Sequence, residues 1–313
     1  ADLATAAVRA LWRFVVETFA AKHGAPPGRG AVVIARGSLG AERLNAASDL
    51  DLIVVYDAQG VETSQGRRPL ATRAYFARLT QALVTAISAP TAEGRLYEVD
   101  MRLRPSGRQG PVATGFSAFR TYQETEAWTC EHLALTRARV IAGDAGLGEE
   151  IAGFRRDLLA KTRNRRGVLA DVADMRARLA VAKPGGAVLD IKSGPGRLQD
   201  IELFAQAGAL LRGDGARCLS DQLDAAIEVF ELTAGEGEAI HNAVDLFWRV
   251  QSAARLISKD PLTSDATGAG AQAFLLRDLG VDSVEDLSAE IAKTAEYVAG
   301  LIDKTVGPAT SGG

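Results

Sequence analysis

The chain has 313 residues, of which 47% are hydrophobic and 24% are charged, and its formal net charge is −3. This is an ordinary globular composition, and the length suits two domains or one core with a large appendage. The slight negative charge argues against a dedicated nucleic-acid-binding protein, because such domains usually carry a basic stripe. No apolar run approaches the roughly 20 residues that span a bilayer, and no secretory signal is visible. We therefore expect a cytoplasmic protein without a membrane or nucleic-acid partner, whose widely separated cysteines, Cys130 and Cys218, are small buried residues.

The predicted elements change along the chain from mixed α/β to all-helical. Hydrophobic periodicity predicts, in order, a helix over 3–22, strands over 31–35 and 49–56, a helix over 70–88 and a strand over 95–104. After about residue 116 we predict no strand, and helices near 116–139, 144–181, 198–212, 220–233, 236–257, 270–279 and 284–304, the last with a capping-box-like start at Ser283 and Asp286. The fold class is therefore α+β: an N-terminal helix (1–24), a mixed-sheet domain (25–145) and an all-helical bundle (146–313).

Acidic residues on two of these strands are the first candidates for chemistry. Asp49 and Asp51 are two residues apart on one strand, so they share a face, while Leu50 and Leu52 face the opposite way into apolar packing. Asp100 lies on the next predicted strand. Neighbouring carboxylates repel one another unless cations neutralise them, and hard oxygen ligands suit Mg²⁺. The pattern predicts a two-metal site, typical of phosphoryl or nucleotidyl transfer, held by these three aspartates.

A glycine-containing turn and a charged strand surround these aspartates. Gly37 and Ser38 follow the first strand, where glycine allows a phosphate to approach the backbone closely. Gly-Ser followed at this distance by Asp-x-Asp is the pattern of the polymerase-β-like nucleotidyltransferase superfamily. On the predicted strand 95–104, one face carries Glu98, Asp100, Arg102 and Arg104. The two arginines suit forked contacts with phosphate, and Glu98 is an alternative to Asp100 as third metal ligand.

Several motifs, in order, make the chain resemble bacterial glutamine synthetase adenylyltransferase, and more narrowly its C-terminal, adenylylating half. The resemblance runs from about residue 30 to 212 and rests on Gly37-Ser38-Leu39-Gly40, Ala47-Ser48-Asp49-Leu50-Asp51-Leu52-Ile53, Tyr97-Glu98-Val99-Asp100-Met101-Arg102-Leu103-Arg104-Pro105-Ser106-Gly107, Glu126-Ala127-Trp128-Thr129-Cys130-Glu131-His132, Leu135-Thr136-Arg137-Ala138-Arg139-Val140 and Asp190-Ile191-Lys192 with Asp200-Ile201-Glu202.

The resemblance implies a polymerase-β-like nucleotidyltransferase domain followed by a helical bundle. The implied reaction transfers AMP from ATP to a tyrosine of glutamine synthetase and releases pyrophosphate. Mg²⁺ is the implied cofactor, and PII signal protein and glutamine are implied regulators. Asp49, Asp51 and Asp100 would carry metal binding and catalysis, and Gly37, Ser38, Arg102 and Arg104 would contact the nucleotide. The full enzyme carries two related halves, of which this chain would hold one.

The chain departs from the family at Ser38, where lysine is usual, which removes a potential phosphate contact. It also departs at Ala41, where glycine is usual, and at Glu42-Arg43-Leu44. Two alternative functions remain. One is phosphorolytic removal of AMP from glutamine synthetase, which the Glu126–His132 stretch disfavours. The other is a non-catalytic nucleotide-binding regulatory module that lost turnover when Ser38 replaced the lysine. We interpret Trp128 as a core residue rather than an adenine-stacking one, and His132 as either a packed residue or a family site residue. Asp200 fits either a capped helix start or a support of the active-site rim.

Overall fold

The structure, a computed structural model, describes residues 1–45, 47–105, 107–182, 189–258 and 269–307. Contacts between residues divide the chain into two compact units, Ala1–Leu44 with Ser48–Lys161 and Asn45–Ala47 with Thr162–Gly313. This division falls after Lys161, whereas the composition of the sequence changes nearer residue 145. The first unit combines a mixed sheet with helices, and the regular elements among the described residues of the second are all helices. The chain therefore has the α+β class that the sequence predicts.

The sheet of the first unit is built around two long strands. β1 (Gly30–Ala35) pairs antiparallel with β2 (Leu50–Asp57). A short hairpin, β3 (Pro90–Thr91) and β4 (Gly94–Arg95), stands apart from this sheet. The free edge of β2 takes two short parallel strands, β5 (Val99–Asp100) and β6 (Ala113–Gly115), and the free edge of β1 takes β7 (Arg139–Gly143) antiparallel. The sheet is therefore mixed, as predicted.

Helices cover both faces of this sheet. Side chains alternate along β2, because successive strand residues face opposite ways. Leu50, Leu52 and Val54 pack with α1 (Asp2–His23) and α3 (Thr72–Ser88), which confirms the predicted apolar side of this strand. Ile53 and Val55 pack on the other face with α4 (Phe116–Thr125) and α6 (Ala145–Leu159). Along the chain, the one-turn helix α2 (Gly37–Gly40) lies between α1 and α3, and α5 (Thr129–Leu135) lies between α4 and α6.

Three predictions in this unit are wrong in extent. The predicted helix 116–139 is two helices, α4 and α5, followed by β7, so the expectation of no strand after residue 116 fails. The predicted helix 144–181 is interrupted between Leu159 and Arg165, where Asn164 Oδ1 accepts a hydrogen bond from Gly167 N at 3.3 Å and thus caps the next helix. The predicted strand 95–104 shrinks to the two residues of β5, with β4 at its start belonging to the separate hairpin.

The described residues of the second unit form six helices. They are α7 (Arg165–Ala182), α8 (Leu198–Arg212), α9 (Leu219–Val229), α10 (Ala234–Ile257), α11 (Ala269–Leu279) and α12 (Val284–Val306). The predicted cap of the last helix is confirmed, since Ser283 Oγ accepts a hydrogen bond from Asp286 N at 3.0 Å. In the part of the chain that the structure describes, no helix is both long and apolar enough to cross a membrane.

A buried ion pair fastens three helices of the second unit. Arg176 on α7 has a fully buried side chain, and it donates to Asp200 on α8 at 2.6 and 2.9 Å and to Asp303 on α12 at 2.9 Å. Asp200 Oδ2 also accepts from Gly196 N at 2.8 Å. Because a buried charge needs a partner, these contacts give Asp200 a structural role. The bond from Gly196 N is the kind expected of a capped helix start, and the pairing with Arg176 adds a link between helices that neither alternative included.

Candidate active site

The sheet places two of the predicted aspartates side by side. Asp51 on β2 and Asp100 on β5 are register partners in the parallel pairing, next to the pair Leu50 and Val99. Burial raises the pKa of Asp51 from 3.8 to about 6, with the charge of Asp100 as the next largest cause and that of Asp49 as a smaller one. Arg36 opposes this rise. The three carboxylates are therefore within electrostatic reach of one another, although Asp49 itself is exposed and stands just before β2.

An exposed arginine, Arg102, contacts one of these carboxylates. Arg102 Nε and Nη2 lie 2.6 and 2.5 Å from Asp100 Oδ2, and the Arg102 N–H donates to Asp100 Oδ1 at 2.7 Å. The Arg102 side chain is 63% exposed. Among the residues described by the structure, no group of three or more His, Cys, Asp or Glu is arranged to hold a metal ion. The donor chemistry of Asp51 and Asp100 nevertheless fits a divalent cation, because paired carboxylate oxygens are its preferred ligands.

The glycine turn lies against the Asp51 carboxylate. Gly37 has a φ of +52°, which disfavours other residues, and a Cβ added there would stand 2.1 Å from Asp51 Oδ2. The backbone before it is tied to the same strand, since Arg36 N donates to the Asp51 carbonyl at 2.9 Å. Ser38 follows in the one-turn helix α2 and is half-buried. Of the predicted nucleotide-binding residues, Gly37 thus adjoins the carboxylate pair directly.

Arg102 and Arg104 were predicted to share a strand face with Asp100, and this prediction is wrong. β5 ends at Asp100, and both arginines lie in the turn that follows. Arg104 donates to the Gly110 carbonyl at 3.1 Å and the Met101 carbonyl at 2.7 Å, so it holds its own loop together. Ser106, in the same motif, lies outside the described residues. The alternative metal ligand, Glu98, is exposed and pairs with Arg95 at 2.7 Å, whereas Asp100 stands beside Asp51.

A buried arginine that sequence reasoning missed stands behind Asp51. Arg36 is 2% exposed, and it donates through Nη1 to the Leu103 carbonyl and through Nη2 to the Glu131 carbonyl at 3.1 Å. Burial lowers its pKa to about 10, while Glu131 and Asp51 act in the opposite direction. The only sequence signal was an arginine directly after the apolar run Val32-Val33-Ile34-Ala35. Arg36 thus joins the turn after β5 and the start of α5 to the strand pair.

The start of α5 is organised by Glu131. Its Oε1 accepts from the Tyr122 hydroxyl at 2.7 Å, and its Oε2 accepts from Trp128 N at 3.1 Å. Next to it, His132 is buried with Nε2 2.9 Å from the Gln123 carbonyl, which is the packed role. The core interpretation of Trp128 is wrong, because the residue is 72% exposed. Cys130 is likewise exposed rather than buried, and Cys218 is half-buried.

The fold and this site define an α+β protein with an acidic pair on a mixed sheet beside a glycine turn. Residues 1–153 match the family described as glutamate-ammonia ligase adenylyltransferase, and residues 173–306 match the family described as GlnD PII-uridylyltransferase. The first half of the chain therefore matches the glutamate-ammonia ligase adenylyltransferase family model, and this match confirms the resemblance to that family seen in the sequence motifs; the narrower resemblance to its adenylylating half stays a prediction.

Curated relatives agree with this assignment. The chain is similar to proteins named bifunctional glutamine synthetase adenylyltransferase/adenylyl-removing enzyme. It is 38% identical over 304 residues to that of Bradyrhizobium diazoefficiens, covering 95% of this chain and 31% of the relative. It is 46% identical over 216 residues to that of Mesorhizobium japonicum, covering 69% and 22%. It is 39% identical over 290 residues to that of Brucella suis, covering 91% and 30%. The chain thus spans less than a third of the length of these relatives.

Proposed function

We propose that the first unit is a polymerase-β-like nucleotidyltransferase domain that moves AMP from ATP to a tyrosine of glutamine synthetase. The register pairing of Asp51 with Asp100 is the observation that carries this proposal. The family match and the names of the relatives support it further. Following the narrower sequence resemblance, we assign the adenylylating rather than the AMP-removing direction to this chain.

In the proposed reaction the acceptor tyrosine oxygen forms a bond to the α-phosphorus of ATP. The bond from that phosphorus to the bridging oxygen breaks, and pyrophosphate leaves with the bond electrons. Asp100 orients the tyrosine hydroxyl and accepts its proton. The missing side chain of Gly37 leaves room for the Asp51 carboxylate, so the Gly37–Ser38 turn is held where its backbone would meet the triphosphate. Arg102, once released from Asp100, faces the negative oxygens of the triphosphate.

We propose that two divalent metal ions, in the form of Mg²⁺, would be held by Asp51, Asp100 and Asp49. When bound they would neutralise the charges of the triphosphate and of the leaving pyrophosphate. The raised pKa of Asp51 fits such a role, because a nearby cation would favour the ionised carboxylate that burial disfavours. Metal binding requires Arg102 to exchange its contact with Asp100, which its exposure permits.

The direct test is transfer of label from α-³²P-ATP to unmodified glutamine synthetase. Asp51→Asn and Asp49→Asn should each reduce the rate at least 100-fold, in the range that removal of an electrostatic group at a reacting centre produces. The matched control is Asp57→Asn, at the opposite end of the same strand, where Asp57 pairs with Arg29 at 3.4 Å. Asp57→Asn should retain transfer. Unchanged transfer in Asp51→Asn would reject the assignment, and ATP binding without pyrophosphate release in the parent chain would favour the regulatory-module alternative.

We further propose that the helical unit receives regulatory signals from PII protein and glutamine. The match of residues 173–306 to a PII-modifying family supports this proposal. The test is the transfer rate of the whole chain with and without purified PII and glutamine. A rate that is insensitive to both would contradict it. Cytoplasmic localisation stays a prediction.

A further inference from the structure

Two exposed apolar residues lie in segments that are hydrogen-bonded to the candidate active site. Trp128 is 72% exposed and Leu103 is 39% exposed. Single exposed apolar residues are common on protein surfaces and need no explanation by themselves. These two are distinguished by where the fold holds them, since both lie in segments that the buried Arg36 connects. We call Leu103 and Trp128 the apolar rim.

The contacts of Arg36 fix the apolar rim beside the carboxylates. One guanidinium group donates both to the carbonyl of Leu103 itself and to the carbonyl of Glu131. The Glu131 side chain in turn accepts from the backbone N–H of Trp128 at 3.1 Å. The same guanidinium interacts electrostatically with Asp51. Arg36 is buried and bonded on both sides, so it links the two rim segments to each other and to β1.

We propose that the apolar rim is the surface that contacts the polypeptide acceptor during transfer. This inference rests on the proposed function and adds the residues that select a protein as acceptor. A folded protein can deliver a tyrosine to the α-phosphorus only if the surface around that tyrosine meets the surface around the carboxylates. Exposed indole and leucine side chains at such a position lose water on contact with apolar protein surface, and tryptophan is enriched among the residues that dominate interfaces. The charged part of ATP gains nothing from them.

The first experiment separates acceptor binding from nucleotide binding. Trp128→Ala should raise the KM for glutamine synthetase at least tenfold and leave kcat within twofold and the Kd for ATP unchanged. Leu103→Ala should raise the same KM about threefold. Neither change removes the hydrogen bonds to Arg36 and Glu131, because those bonds use the backbone of both rim residues. Phe14→Ala is the matched control, since Phe14 is 64% exposed on α1 and outside the rim, and it should leave all three constants unchanged.

The second experiment needs no turnover. Binding of glutamine synthetase to the immobilised chain is measured by interferometry in the Asp51→Asn background, with and without Trp128→Ala. The added substitution should weaken binding at least tenfold. Unchanged KM and binding in Trp128→Ala overturn the inference while the proposed function stands. A raised Kd for ATP instead would assign Trp128 to the nucleotide and also overturn it. Loss of transfer in the parent chain, with binding still dependent on Trp128, would refute the proposed function and leave the rim as a docking surface.

Discussion

Asp51→Asn should make the protein more stable at neutral and alkaline pH, although it should greatly reduce transfer. Asp51 is partly buried beside Asp100, and its pKa is raised from 3.8 to about 6. The folded state therefore disfavours the ionised carboxylate. Asparagine has nearly the same shape and no charge, so it removes this penalty. A residue kept for stability would show the opposite sign, which makes the substitution a test of whether the site is built for a ligand.

The magnitude follows from the pKa. A rise from 3.8 to about 6 corresponds to about 3 kcal/mol, at about 1.4 kcal/mol for each pH unit. Between these pH values the folded state binds more protons than the unfolded state, so the parent chain loses stability as the pH rises through this window. The penalty is complete above about pH 6 and absent below about pH 4. Relaxation and water access reduce it, so we expect Asp51→Asn to gain about 1–3 kcal/mol at pH 8 and nothing at pH 4.

Urea unfolding in EDTA measures this difference between the parent and the variant at several pH values. Asp57→Asn, on the same strand, is the control and should show no gain that grows through this pH window. A variant less stable than the parent at pH 8 would refute the reasoning. So would a gain of equal size at pH 4 and pH 8, because burial of a charge cannot produce it.

Two further predictions concern the second unit. Gly208→Ala should lower the free energy of unfolding by about 1–3 kcal/mol, because the new Cβ would lie 2.3 Å from Ala226 Cα on the facing helix. The control Gly235→Ala meets no atom within 4 Å and should be neutral or slightly stabilising. Equal effects of the two substitutions in urea unfolding would contradict the packing argument. Arg176→Met should lower the free energy of unfolding by about 3–5 kcal/mol, since it leaves the Asp200 carboxylate buried without its main partner. Adding Asp200→Asn to this variant should recover part of the loss. An Arg176→Met variant as stable as the parent would show that the ion pair contributes no stability.

Local features were predicted well because their causes are local. The alternation along β2 comes from strand geometry, so Leu50 and Leu52 facing the core could be read from spacing alone. The cap at Ser283 depends on residues within one helical turn. A shared site for Asp51 and Asp100 was predicted from the acidic strand pattern and the motif resemblance, but no local rule gives the register of segments so far apart in the chain.

The two errors in strand assignment share one cause, which is that a strand exists only where a partner offers a free edge. Charge alternation over 95–104 resembled a strand, yet β5 pairs with β2 only at Leu50 and Asp51, and further along the same edge β6 takes the place. Arg139–Gly143 resembled a helix end, yet the open edge of β1 makes it a strand. Hydrogen bonds to a neighbouring strand, not the segment's own pattern, decide these cases.

The amino-acid sequence by itself determined most of the helices, the strands β1 and β2, the apolar side of β2 and the resemblance to the family, because periodicity and motif order are properties of neighbouring residues. Only the tertiary structure decided that Asp100 stands beside Asp51, that Arg36 is buried behind them and that Trp128 is exposed. Burial and the charge felt by a carboxylate depend on which distant segments pack around it. The sequence of one segment does not contain that information.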